Sequence, residues 1–517
     1  MPLAKRMLPS RSWRRNNMIQ YFVGGSKDSS VGKLSDLGFQ WLPSTIVDAI
    51  SQLKKWVADT GTNIRQPPYN AYGDGQSHPL STRFSTLDDA EAVFPFLTQY
   101  LIDNPDVDWK TLEIDFCAIK QSLDDINCTV IPRGTFLTNR PIEREHIRLI
   151  GVGRTRSKIV STDSSQPVII TGGVPFIADL YIGHQSIPST SEVVPNGAGI
   201  YLKTGLDDGA VITRLYIENI TSGIILNDGT SAHCYSATFS DMRITRFRHS
   251  AIYIGGSGHT GNVFYNIYAV NWNDFSAGTK LSSPYGYVFK GMDDGVFYQL
   301  NLEHGYYGKG FVISGSKIEI NSIHFEGYIA NENYSGLFYV DGTASRVTLR
   351  NVSLVYSFFD KANISDYSFL VLGDNGTVEI DGFTERDNTV TNAPTLHKFT
   401  GTSTITSGAA IYAKKFRMLN NLFNSNDYFP NTPVVPYLRQ YNDDRYFWTD
   451  GGKRRFVGTA MPTSGTYNKQ DEVININKVE QGAAGSKYVV DRWLRLTDGS
   501  SHVLGTDWLE LRLYTGN

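Results

Sequence analysis

Between about residues 215 and 355 the chain repeats a short pattern in which apolar and polar positions alternate. Laid under one another, Leu215-Tyr216-Ile217-Glu218, Met242-Arg243-Ile244-Thr245, Ile267-Tyr268-Ala269-Val270, Leu300-Asn301-Leu302-Glu303, Ile323-His324-Phe325-Glu326 and Val352-Ser353-Leu354-Val355 all place an apolar residue first and third. Successive starts lie 27, 25, 33, 23 and 29 residues apart. This spacing suits one turn of a β-solenoid with loops of variable length, in which each coil buries its apolar face on the next. An antiparallel sandwich would need turn signals at shorter intervals. The expected fold is all-β: a right-handed parallel β-helix with a short helical N-terminal region and a small C-terminal β module.

A strand directs alternate side chains to opposite faces. The first and third positions therefore predict two core ladders, Leu215, Met242, Ile267, Leu300, Ile323, Val352 and Ile217, Ile244, Ala269, Leu302, Phe325, Leu354. The second and fourth positions predict two outward columns: Tyr216, Arg243, Tyr268, Asn301, His324, Ser353, and Glu218, Thr245, Val270, Glu303, Glu326, Val355.

Ahead of the repeat, helical spacing of Ile46, Ile50, Leu53 and Val57 behind Pro43-Ser44-Thr45 predicts a short amphipathic helix over 44–57. Ser85-Thr86-Leu87-Asp88 resembles a capping box opening a second helix that Pro95 interrupts, and a third is expected from Ile114 to Leu123. The repeat fades near Ala410. The remainder, with a turn-rich segment from Gly458 to Tyr467 and alternating strands ending at Trp508-Leu509-Glu510-Leu511-Arg512, predicts a separate module. The expected division is a short helical region over 1–65, the solenoid over 66–412 and a small β module over 413–517.

Composition narrows the function. The net charge of −3 and the near balance of 48 basic and 51 acidic residues provide no overall field for nucleic acid. Three scattered cysteines, Cys117, Cys128 and Cys234, suit buried thiols better than a disulfide framework or a zinc cage. No apolar run approaches the roughly 18 residues that span a bilayer, and no signal-peptide core follows the basic residues Lys5, Arg6, Arg11, Arg14 and Arg15. Neither nucleic acid nor membrane is an expected partner. No spacing of metal ligands or phosphate-binding loop stands out, so neither metal nor cofactor is expected.

Two segments resemble the pectate-lyase-like β-helix family of phage and prophage tailspikes and capsule depolymerases. The first comprises Ala71-Tyr72-Gly73-Asp74-Gly75, the helix bearing Asp115, Ala118 and Ile119, then Ile131-Pro132-Arg133-Gly134-Thr135-Phe136-Leu137 and Leu149-Ile150-Gly151-Val152-Gly153. The family's order is a GDG turn, a capping helix, an IPxGxY/F strand and an LxGxG coil; here the segment between Gly75 and Asp115 is longer. Residues 458–467 with Trp508-Leu509-Glu510 are similar to the short C-terminal modules of such spikes. The resemblance implies a homotrimer, mounted on a virion tail or an adaptor protein, that binds and cleaves a bacterial capsular or surface polysaccharide outside the cell. It also implies that Asp74 is structural.

Chemistry has to be read from a site, because β-helices also serve as adhesins. Neighbouring coils lie about 4.8 Å apart, which stacks Glu303 on Glu326, with Asn301 and His324 two residues back and Arg243 two coils from Asn301. Paired carboxylates raise one pKa and divide the roles of acid and base or nucleophile, as glycoside hydrolysis requires. The leading expectation is endo-glycosidic hydrolysis by Glu303 and Glu326. A lyase would use His324 or Tyr268 as base and Arg243 or Arg246 to neutralise a uronate. A spike without catalysis would use the same face for binding alone. Asp241 and Asp274 are further candidate carboxylates, as are Glu379 and Asp381 on a later coil. Tyr268, Trp272, Tyr306, Tyr307 and Tyr328 are expected outside the core, where aromatic planes can stack on sugar rings or between subunits.

Overall fold

A computed structural model describes residues 62–189, 195–226, 232–274, 279–330, 336–341, 345–360, 366–373, 376–391, 395–401, 410–417, 437–442, 445–446, 455–464 and 467–516. The expected helix at 44–57 lies outside these residues. Helices span Leu87–Val93, Phe96–Asp103 and Ile114–Ile126. Thr86 caps the first by accepting the Asp89 N–H, and the second begins immediately after Pro95. The third buries Ile114, Phe116, Ile119 and Leu123 against the first strands of the solenoid.

Those strands begin a continuous sheet of 31 strands among the described residues, parallel throughout except for a last antiparallel pairing of Tyr437–Asn442 with Arg445–Tyr446. The fold is a parallel β-helix, with the right-handed turn that parallel crossovers take. Three ladders run along it. One carries Tyr181, Tyr216, Arg243, Tyr268, Asn301, His324 and Ser353 in matching register. A second joins Ile252, Tyr287, Phe311 and Phe338, and a third joins Ile212, Phe239, Phe264 and Phe297. Every residue of the two predicted core columns is at most 2% exposed. Because apolar residues stack on like residues, rings follow suit: Phe239, Phe264 and Phe297 lie in parallel, 4.6 and 4.7 Å apart.

The corners need a backbone that strands do not supply. At the corner before the first ladder, Arg214, Asp241, Asn266, Gln299, Ser322 and Asn351 all adopt φ between 52° and 62°, a left-handed conformation that Asn and Asp tolerate better than most residues. At the corner after it, Asn219, Arg246, His304 and Tyr356 do the same. The solenoid is closed at its start by Asp115, whose carboxylate accepts main-chain N–H groups of Tyr72, Gly73 and Leu137. Gly73 is required there: φ is +63°, and a Cβ would lie 2.5 Å from the Phe136 ring.

The C-terminal module is a five-stranded sheet over 455–516, packed around Val473, Val490, Trp493 and Trp508. All three cysteines are buried and free. Among the described residues no helix is long and apolar enough to cross a membrane.

Candidate active site

The second positions of the first ladder lie at the outer surface, but in the fourth-position column, expected outward as well, Thr245, Val270 and Val355 are buried; parallel register makes Glu303 and Glu326 direct partners. Glu303 is likewise only 4% exposed. Tyr268, one coil earlier, donates its hydroxyl hydrogen to Oε2, and Asn301 Nδ2 donates to Oε1 at 3.3 Å. Burial raises the Glu303 pKa above the ordinary carboxylate range, and the neighbouring Glu326 adds to the rise; the Tyr268 bond and His324 oppose it without cancelling it.

Glu326 is half-exposed. His324 Nε2 lies 3.2 Å from its Oε2, and Nδ1 of the same ring meets Ser353 Oγ at 2.7 Å on the following coil. One carboxylate oxygen from each glutamate and a His324 nitrogen lie within 4.8 Å of one another. Glu303, His324 and Glu326 form the one such group of three potential metal ligands among the described residues. Its Ser353-held imidazole and two carboxylates are ligand types a divalent cation accepts.

From below, the core fixes this strand. Tyr307 and Tyr287, both fully buried, donate hydroxyl hydrogens to the main-chain oxygens of Glu303 and Asn301, each at 2.7 Å. Beside the pair, the 33-residue interval that follows Ile267 is explained by an antiparallel hairpin, Trp272–Asp274 with Thr279–Lys280. The Trp272 ring lies 4.9 Å from that of His304, the residue after Glu303.

The other expected site residues are distributed differently. Arg243 is exposed, its guanidinium carbon 5.9 Å from the centre of the Tyr216 ring and 5.2 Å from that of Tyr268. Arg246 occupies a left-handed corner, where its charge favours the ionised form of the Tyr181 hydroxyl. Asp241 is a corner residue too: its carboxylate accepts the Asn266 amide at 2.7 Å, and it lies outside the Glu303 group. Asp274 ends the first hairpin strand, and its side chain lies outside the described residues. Tyr306 is half-buried at the start of the strand Tyr306–Ser314. Tyr328 is fully buried, which overturns its expected place on the surface; the same holds for Tyr307. Tyr328 stacks on Tyr307 at 5.2 Å and hydrogen-bonds Tyr367 inside the solenoid. The left-handed residues His304 and Gly327 intervene between the outward glutamates and these tyrosines, so the two-residue period does not carry through the corner.

Features outside the six aligned segments extend the same face. Tyr181 repeats the Tyr268 arrangement, its hydroxyl donating to Glu218 Oε2 at 2.9 Å on the next coil. Lys158, one coil before Tyr181, holds Nζ 5.3 Å from the centre of that ring.

No protein-family profile matches the chain, and no curated protein sequence matches it. Among solved structures, tailspike protein gp49 from Pseudomonas phage LKA1 matches at 14% identity and a TM-score of 0.37, over 86% of this chain and 98% of that one. This chain is similar to phage tailspike proteins. The enzymatically active domain of bacteriophage CBA120 tailspike protein 2 matches at 10% identity and a TM-score of 0.36, over 77% and 67% of the two chains. The catalytic domain of a GH87 alpha-1,3-glucanase in complex with nigerose matches at 13% and 0.28, over 56% and 67%. At these values the fold rests on the strand register and the site on its own side chains.

Proposed function

We propose that the chain hydrolyses internal glycosidic bonds of a bacterial capsular or surface polysaccharide, with Glu303 as acid and base and Glu326 as nucleophile. The observation that carries this reading is the close approach of the two carboxylates, within 4.8 Å between oxygens, in unequal surroundings. Carboxyl groups about 5–5.5 Å apart suit the retaining mechanism, whereas an inverting one needs about 6.5–9.5 Å to admit water between acid and base.

In this reading Glu303, the buried member of the pair and the one whose pKa burial raises, is the acid that begins the cycle. It gives its proton to the bridging oxygen as the bond to the anomeric carbon breaks, and the Glu326 carboxylate forms a bond to that carbon from the opposite face. Glu303, now ionised, takes a proton from water; the resulting hydroxide equivalent displaces Glu326, and Glu303 is protonated again. His324, oriented by Ser353, holds the nucleophile. Hydrolysis is favoured over β-elimination because His324 is engaged with Glu326 and Arg243 sits two coils from Asn301. As a spike, the working form is a homotrimer on a virion tail or adaptor, acting at the bacterial surface.

Product analysis tests the reaction class. New reducing ends whose first-formed anomer matches the cleaved linkage, without an unsaturated uronate absorbing near about 235 nm, are expected. An inverted anomer sinks the nucleophile assignment, an unsaturated uronate sinks hydrolysis, and binding without shortening sinks catalysis.

A further inference from the structure

Five outward residues on successive coils form one line along the solenoid: Lys158, Tyr181, Tyr216, Arg243 and Tyr268. The rings of Tyr181 and Tyr216 stack at 5.4 Å and 15°. Lys158 closes one end of that stack, and Arg243 is inserted between Tyr216 and Tyr268 at the other. Stacking takes up the two flat faces of a guanidinium and leaves its N–H edges pointing outward. Among the described residues no hydrogen bond or ion pair engages the Arg243 guanidinium or the Lys158 ammonium, and Glu218, two residues on from Tyr216 in the line, is bonded by Tyr181. A donor set fixed in direction and left without an acceptor is what bidentate recognition of an anionic group requires.

We infer that this ladder binds an anionic polysaccharide laid parallel to the solenoid axis, with Arg243 and Lys158 taking successive acidic groups of the polymer. Lys158 and Arg243 are three coils apart, about 14 Å at the usual strand spacing, which sets the distance between the acidic groups they bridge. Arg243 is two coils, about 10 Å, from the strand bearing Glu303. The acidic group it holds therefore belongs to a sugar removed from the bond being cut. This assignment of substrate class rests on the cleavage reading only in using the same face; the binding strip stands or falls separately.

The test is equilibrium binding to the full chain carrying Glu303→Gln, so that binding is read without cleavage. The probes are polygalacturonate, dextran sulfate, neutral dextran, and a panel of purified acidic and neutral capsules. An acidic polymer is expected to bind best, with carboxylate and sulfate probes distinguishing the anion. Arg243→Gln and Lys158→Gln should each weaken that binding at least tenfold at constant salt, while chemical reduction of the carboxyl groups, for a carboxylate ligand, should remove the difference. Preferred binding of a neutral polymer, an unchanged Kd in both variants, or no binding of any acidic probe at low salt overturns the inference. Arg243-dependent binding of an acidic capsule that the wild type leaves uncut would instead leave the strip standing and remove the cleavage reading.

Discussion

Tyr268 donates its hydroxyl hydrogen to Oε2 of Glu303 on the next coil. The bond favours the ionised carboxylate, whereas burial and Glu326 favour the protonated one, and the latter prevail. Tyr268→Phe removes the opposing influence and raises the Glu303 pKa further. Since the acid must be protonated, the alkaline limb of the pH–rate profile is expected to move to higher pH. A downward shift or an unchanged limb, measured by kcat/KM across pH, contradicts the acid assignment.

The same raised pKa has a consequence for stability. The folded protein holds the Glu303 proton more tightly than the unfolded chain, so its contribution favours folding fully below the unfolded pKa and is lost as pH rises through the folded one. In Glu303→Gln that pH-dependent loss should be absent, as read from denaturant midpoints of the two proteins over the mildly acidic range.

Ser353 touches Glu326 only through the His324 ring. Its removal in Ser353→Ala should lower kcat by roughly fivefold, about 1 kcal/mol for one hydrogen bond, with KM little changed and Ser353→Thr restoring the rate. Equal loss in both variants would make the position one of packing rather than orientation.

A chelator separates acid–base chemistry from metal chemistry at the same three side chains. Hydrolysis by Glu303 and Glu326 predicts unchanged activity after extended treatment with EDTA. Loss that a divalent cation restores would reassign Glu303, His324 and Glu326 as its ligands.

Tyr328 serves the core. Tyr328→Phe, which removes a hydroxyl paired with Tyr367, is expected to cost about 1 kcal/mol of stability and to leave glycan affinity unaltered. A large loss of affinity without loss of stability would return it to the binding surface.

These residues also mark how far the sequence was legible. Within a strand, period-two alternation is local, so the register of Tyr216, Arg243, Tyr268, Asn301, His324 and Ser353 is legible in the sequence. Corners break that logic. Asp241 reads as a free carboxylate, yet it serves a left-handed turn; Tyr328 reads as outward, yet the chain turns it inward after Gly327. The pair Glu303 and Glu326 was accessible because both precede their corner in the same register. Tyr181 and Lys158 lie ahead of the repeat that begins at Leu215, and Gly183 stands where the next coil carries Glu218. The hairpin after Asn271 left only an irregular interval as its trace.

The most direct test of the paired-carboxylate site is depolymerisation of a susceptible capsule by wild type, Glu303→Gln and Glu326→Gln, with folding and assembly verified for each. A fall of about a thousandfold in kcat in each folded variant, on the order of 4 kcal/mol of transition-state stabilisation, is expected. Wild-type rates in both would contradict the account.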